Sequence, residues 1–227
     1  MAESTLSPGE DWSALRRRSA GEALVRVLAF CGHPVQCCSR EGTGDGLFHT
    51  ENGHQITLRV GPVALLWQGK PLVGEPPDWP RNVSAGAARF FLTAHPLSAA
   101  AALDFDLAAR RDDSNPYYFT CYIRKRMHSI LLRPSEAFAV PGELSGAGRA
   151  LALMAGRFPA AVRRAAGSRD PFPVNRYAVE LAETARQYLG TREENRPLLA
   201  AAEVALGNAL DLLGVRHWGA VPPPAFL

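Results

Sequence analysis

Residues 114–130 read SNPYYFTCYIRKRMHSI, and their spacing decides the fold. Pro116 stands where a helix accepts proline, in the first turn, with Ser114 or Asn115 as the N-cap ahead of it, and Pro134 stops the run. Between these limits Phe119, Ile123, Met127 and Ile130 recur at three- or four-residue intervals, an apolar stripe suited to a core. Beside it Tyr118, Tyr122, Arg126, Ser129 and Arg133 share a second stripe of rings and cations. One face of this helix is built to be buried, and the adjoining face carries chemistry.

Working outward, the same helical period returns at about 83–94, 144–166, 173–189 and 197–214, with Gly214 placed as a C-terminal cap. Amphipathic helices joined by short connections make a bundle. Ahead of them the pattern is different. Leu15, Ala23, Leu24, Val27, Leu28 and Cys31 predict one helix ending near Gly32, and His33 to Cys37 suggests a short strand. After the Gly-rich turn GTGDG, the segments 55–60 and 63–68 read as strands joined by Gly61-Pro62. The Pro-rich stretch from Lys70 to Arg81 reads as a loop, and the tail HWGAVPPPAFL as irregular. The expected fold class is mainly α: a helical bundle over residues 83–215 preceded by a small α/β unit over residues 11–72.

Composition narrows the function classes. With 47% hydrophobic and 21% charged residues in 227, the chain reads as globular. It lacks the roughly 18 uninterrupted apolar residues of a membrane span, and MAESTLSPGEDW is not a signal peptide, so a cytoplasmic location is expected. Cys31, Cys37, Cys38 and Cys121 form no paired CxxC pattern, and His95, His128 and His217 are scattered, so neither a metal nor a cofactor is expected. The net charge of +3 is small but uneven: residues 110–186 hold 13 of the 25 basic residues and 7 of the 22 acidic ones. Arginine dominates, with only Lys70 and Lys125 as lysines, which suits forked phosphate contacts and is also what a GC-rich genome produces.

In order along the chain, LDFDL (103–107), SNP (114–116), YYFTCYIRKRMHSI (117–130), FPAAV (158–162), DPFPVNRY (170–177), ELA (180–182) and NALDLLGV (208–215) resemble the rear portion of arginyl-tRNA synthetases. That portion of the family is its DALR-type anticodon-binding domain. The front resembles the family in pieces. Leu15-Arg16 and GEALVRVLAFCGHPV (21–35) look like the helix and strand that follow the nucleotide-binding His-x-Gly-His signature. The four positions of that signature are here Asp11, Trp12, Ser13 and Ala14, and of the second, lysine-containing signature only Gly69-Lys70 remains. About twenty residues separate Val35 from Ile56, where the family's active-site domain holds the remainder of its sheet and the amino-acid pocket.

The resemblance implies a vestigial Rossmann-like remnant and a non-catalytic protein that binds tRNA, with no catalytic residue retained. Tyr118 and Tyr122 would stack unpaired bases, while Arg124, Lys125, Arg126, Arg133 and Arg176 would meet phosphates. The bland reading of the two tyrosines is that they border the core, and an exposed helix arginine such as Arg176, Arg163 or Arg164 is ordinarily only solvated. Ile123-Arg124-Lys125 replaces the family's usual Ala-His-Ala, adding two cations to the exposed side. The expected partners are tRNA, arginine-accepting by preference, and another tRNA-using enzyme, with no membrane and no DNA. Two rivals stand beside this reading: a true arginine–tRNA ligase, and a protein-interaction module without RNA binding.

Overall fold

The computed structural model describes residues 12–33, 35–38, 46–50, 55–72, 83–133, 143–191, 193 and 195–215. The first helix, α1 (Trp12–Phe30), ends at Gly32, whose φ of 79° lets the chain reverse. Strands β1 (Val35–Cys38), β2 (Gly46–Thr50) and β3 (Gln55–Leu58) form an antiparallel sheet in that order. A second sheet holds β4 (Val63–Trp67) at its centre, β5 (Lys70–Pro71) antiparallel on one side and β6 (Ala101–Asp104) parallel on the other. Between β4 and β6 the chain forms α2 (Ala85–Leu92), and the short α3 (Phe105–Ala109) follows β6.

The two strands expected around Gly61-Pro62 therefore both exist, but they belong to different sheets. Close approach explains why. A Cβ on Gly61 would run into the carbonyl group of Ala99, so the chain must pass here as glycine to bring β4 beside the loop before β6. Lys70 and Pro71, expected in a loop, pair with Leu66 and Trp67 instead. The turn residues Gln68 and Gly69 both have positive φ, 50° and 74°, as a tight two-residue hairpin of type I′ requires. Residues 73–82, the rest of that expected loop, lie outside the described residues, as do most of GTGDG and the tail.

The bundle consists of α4 (Pro116–Leu131), α5 (Gly146–Gly156), α6 (Phe158–Ser168), α7 (Phe172–Leu189) and α8 (Arg196–Leu212). Of the two candidates for the α4 cap, Asn115 is the one used, its side chain accepting from the N–H groups of Tyr117 and Tyr118. The single helix expected over residues 144–166 is two, divided at Arg157. Pro159 has no N–H to give the Ala155 carbonyl, which accepts from the Tyr177 hydroxyl at 3.3 Å.

The α/β layer and the bundle are joined by more than a linker. β6 lies beyond residue 83, in the stretch whose sequence pattern reads as bundle, so the layer runs on to residue 109. Val27 of α1 and Phe90 of α2 are fully buried in the bundle's own apolar cluster, with Met127, Leu181 and Leu206. Polar contacts from DPFPVNRY add to this. Asp170 accepts from the N–H of Leu97, and the Asn175 amide donates to the Phe90 carbonyl and the Thr93 hydroxyl. No helix among the described residues is long and apolar enough to cross a membrane.

Candidate nucleic-acid interface

The aromatic–cationic stripe of α4 opens on a groove of about 500 Å³, bounded by α4, the end of α7 and the loop 110–113. Phe119 and Ile123 underlie it, both buried. Tyr118 and Tyr122 stand one turn apart with ring planes within 3° and centroids at 6.3 Å, an offset stack. The two rings are not equivalent: Tyr118 is only 5% exposed, and Tyr122 is half-buried. Tyr118 therefore backs Tyr122, and the outer ring is the more accessible of the two. Burial raises the Tyr118 hydroxyl's pKa above that of an ordinary phenol, Tyr122, Asp113 and Asp112 add to the rise, and the Arg111 charge opposes it.

Three arginines line the groove. Arg126 comes from the next turn of α4, Arg111 from the loop and Arg186 from α7. Arg186 is also paired with Glu183 at 2.6 Å, and Asp113 adds to the negative charge around it. Asp112 and Asp113 complete the lining. The stripe on α4 was legible in the sequence, whereas the grouping of Arg111, Asp112, Asp113 and Arg186 with it was not. The signal available was the mixed-charge run RRDD just ahead of the Asn115 cap, which must sit at the N-terminal end of the tyrosine stripe.

The remaining sequence candidates do not line this groove. Arg124 does not add to the exposed side: its guanidinium donates to Glu203 of α8 at 3.0 Å, and it lies directly over Gly207, which has no side chain to obstruct it. Lys125 and Arg133 are exposed, Arg133 lying just past the end of α4. Arg176 is exposed and paired with Glu180 at 2.6 Å, and it precedes Arg186 on α7 by ten residues, roughly 15 Å along the axis.

At the front of the chain Trp12, Arg16 and Lys70 are held by packing and pairing within the α/β layer. Trp12 packs edge-on against Phe105, with ring centroids at 5.5 Å, within the apolar cluster of β4, α2, β6 and α3. Arg16 is fully buried, and its guanidinium donates to the carbonyls of Ala99 at 2.7 Å, Gly61 at 2.8 Å and Pro96 at 2.9 Å, with longer contacts to Leu92 and Pro62. Burial lowers its pKa, against the opposing pull of Asp170's charge. Lys70 is held in the β4–β5 hairpin, where the neighbouring Gly69 N–H donates to Asp104 at 2.6 Å. The other oxygen of Asp104 caps α3, and Asp106 pairs with Arg110, so LDFDL serves structure. Among the described residues no group of three His, Cys, Asp or Glu side chains comes together to hold a metal ion.

The chain is 33% identical over 156 residues to the arginine–tRNA ligase of Frankia alni, a match covering 59% of this chain and 28% of the ligase. With the ligase of Nitratidesulfovibrio vulgaris it shares 28% identity over 188 residues, covering 73% of this chain and 32% of the relative. The arginyl-tRNA synthetase structure of Thermus thermophilus superposes with a TM-score of 0.54 at 26% identity, over 67% of this chain and 33% of the synthetase. A Campylobacter jejuni structure assigned as an arginyl-tRNA synthetase superposes with a TM-score of 0.60 at 20% identity, over 69% and 39% of the two chains, and shares the fold. No protein-family profile matches the chain. It is thus a relative of arginyl-tRNA synthetases, with the match to the ligases spanning about a third or less of their length.

Proposed function

We propose that this chain binds tRNA through a DALR-type anticodon-binding bundle over residues 83–215 and does not aminoacylate it. The observation that carries the reading is the stacked Tyr118–Tyr122 pair in a groove that also holds Arg111, Arg126 and Arg186. A ring set between guanidinium groups is how proteins hold splayed single-stranded bases and the phosphates that link them. Tyr122 supplies the stacking face, Tyr118 supports it, and Arg126 with Lys125 and Arg133 extends the cationic track along α4. Arg176 joins only by exchanging Glu180 for a phosphate, and Arg124 acts by keeping α4 in register with α8. A cytoplasmic protein of this kind holds tRNA or presents it to a tRNA-using enzyme.

The front supports the non-catalytic half of the proposal. Adenylation depends on positive groups preorganised around the transferring phosphates. Here Trp12 fills space against Phe105, Arg16 spends its donors on backbone carbonyls, and Lys70 is built into a hairpin.

The test is binding of the purified chain to a panel of tRNA transcripts at about 50 and 200 mM salt, the range over which phosphate contacts weaken most. Three groove arginines predict a log–log salt slope of about −2, at roughly −0.7 for each single-strand phosphate neutralised. Tyr122→Ala should weaken binding about tenfold, in keeping with the roughly 1–3 kcal/mol a stacked base contributes. Absence of tRNA binding would sink the proposal and favour the protein-interaction module. Arginine-dependent ATP–pyrophosphate exchange would instead restore the ligase.

A further inference from the structure

A groove made only to hold phosphate would have no use for carboxylates, yet Asp112 and Asp113 stand in its lining beside the three arginines. A carboxylate can only accept hydrogen bonds. In RNA the available donors are the N–H groups of the bases and the ribose 2′-hydroxyl, so an acidic lip is suited to base edges and not to the chain that links them. The two acids differ in what they have left to offer. Asp112 is committed to its own turn: the N–H of Ser114 donates to its Oδ1 at 2.9 Å, and the Ser114 hydroxyl donates to the same oxygen. Among the described residues Asp113 makes no hydrogen bond or ion pair, and both of its oxygens remain available in an exposed position.

We propose that this groove selects an unpaired guanine, with Tyr122 stacking on the base and Asp113 accepting from its N1–H and N2 amino groups. The inference rests on the tRNA-binding reading above and adds which base the groove takes. Guanine alone among the four bases presents two adjacent N–H donors along one edge, matching the two oxygens of a single carboxylate. Cytosine and adenine place a ring acceptor beside their amino group, and uracil flanks its one N–H with two carbonyls, so each sets an acceptor against the second carboxylate oxygen. Guanine's other edge carries the N7 and O6 acceptors that arginine prefers. A lining that mixes acids with arginines therefore suits both edges of the same base. Asp113 is a specificity residue in this scheme and the arginines supply most of the affinity, because the acid itself repels the phosphate chain.

The experiment is fluorescence anisotropy of the full chain with RNA hairpins of one stem and the loop UUUNUUU, where N is guanine, inosine, adenine, cytosine or uracil. Whole tRNA transcripts are measured in parallel. Guanine should bind about tenfold more tightly than adenine, cytosine or uracil, the scale of one good bidentate base contact. Inosine, which lacks only the N2 amino group, should lose most of that advantage. Asp113→Asn should bring the five loops together within about twofold, while leaving binding of the uracil loop unchanged or tighter as a negative charge is removed. Equal binding of all five loops by the native chain overturns the inference, and so does a guanine preference that survives Asp113→Asn. Whole tRNA binding without any hairpin binding overturns it too and leaves the tRNA reading standing. Failure of tRNA and hairpins alike overturns both.

Discussion

Arginine does opposite work in the two halves of this molecule. In the α/β layer Arg16 is turned inward and fully buried, and it ties together the carbonyls of Gly61, Pro96 and Ala99. In the bundle Arg111, Arg126 and Arg186 are turned outward around a groove, over a mainly apolar core. Among the described residues the layer has no large core of its own, since its apolar clusters are small and Val27 and Phe90 are given to the bundle. A buried guanidinium with several carbonyl acceptors compensates by joining segments that hydrophobic contact alone leaves apart. Residue type therefore says little about role here, and burial decides it.

The contrast can be broken most directly at Arg16. Arg16→Ala takes the donor away from the part-buried carbonyls of Gly61 and Ala99, each costing roughly 1–3 kcal/mol, so a loss of about 4 kcal/mol is expected, read from the urea midpoint. Because α1 and α2 supply Val27 and Phe90 to the bundle core, the transition should remain single. Hydrogen exchange showing α1 and α2 released while α7 and α8 stay protected would mean that the bundle is independent of the layer.

Gly61→Ala drives a Cβ into the Ala99 carbonyl group, which is backbone and cannot swing aside. About 3 kcal/mol is expected from the overpacking, near the upper end for such changes. A smaller effect, about 2 kcal/mol, is expected for Asn175→Ala, which removes both amide bonds from the bundle to α2 and leaves the Phe90 carbonyl with the Thr93 hydroxyl as its side-chain donor. Were Asn175→Ala to cost nothing, the polar join between the halves would be incidental to Phe90's packing.

The smallest effect is alkaline. Burial pushes the Cys121 thiol from its ordinary 9.0 to about 12, and burial raises the Tyr177 hydroxyl as well. Both groups stay protonated in the folded chain at pH values where the unfolded chain releases the proton. The stability linked to Cys121 is therefore complete below pH 9 and declines as pH rises from 9 toward 12. Thermal melts between pH 8 and about 10.5 should show a modest, reversible fall in midpoint, and Cys121→Ala should flatten part of it.

Much of the fold was legible because its signals are local. Asn115, Pro116 and Gly214 mark helix ends through backbone geometry that depends on immediate neighbours, and the stripe from Phe119 to Ile130 follows from the helical period alone. The break at Arg157 was missed although Pro159 announces it, because FPAAV continues the apolar period across the proline. The α/β layer was under-read because β6 finds its partner β4 nearly forty residues earlier in the chain. The groove was half visible. Tyr118, Tyr122 and Arg126 lie on one helix and declare themselves, whereas Arg124 reads as an exposed cation until Glu203, 79 residues away, is set beside it.

By itself the sequence determined most of the helices, the ends marked by Asn115 and Gly214, the apolar face of α4 and the kinship with arginyl-tRNA synthetases. Each of these is written in residues close together or in strings of preserved order. Only the tertiary structure decided that Tyr118 lies behind Tyr122, that Arg124 is tied to Glu203 while Arg126 lines the groove, that Arg186 and Asp113 join that groove, and that Arg16 is a buried bolt. Whether a charged or aromatic side chain meets water, a partner or a ligand depends on which segments fold against it, and those segments come from distant parts of the chain.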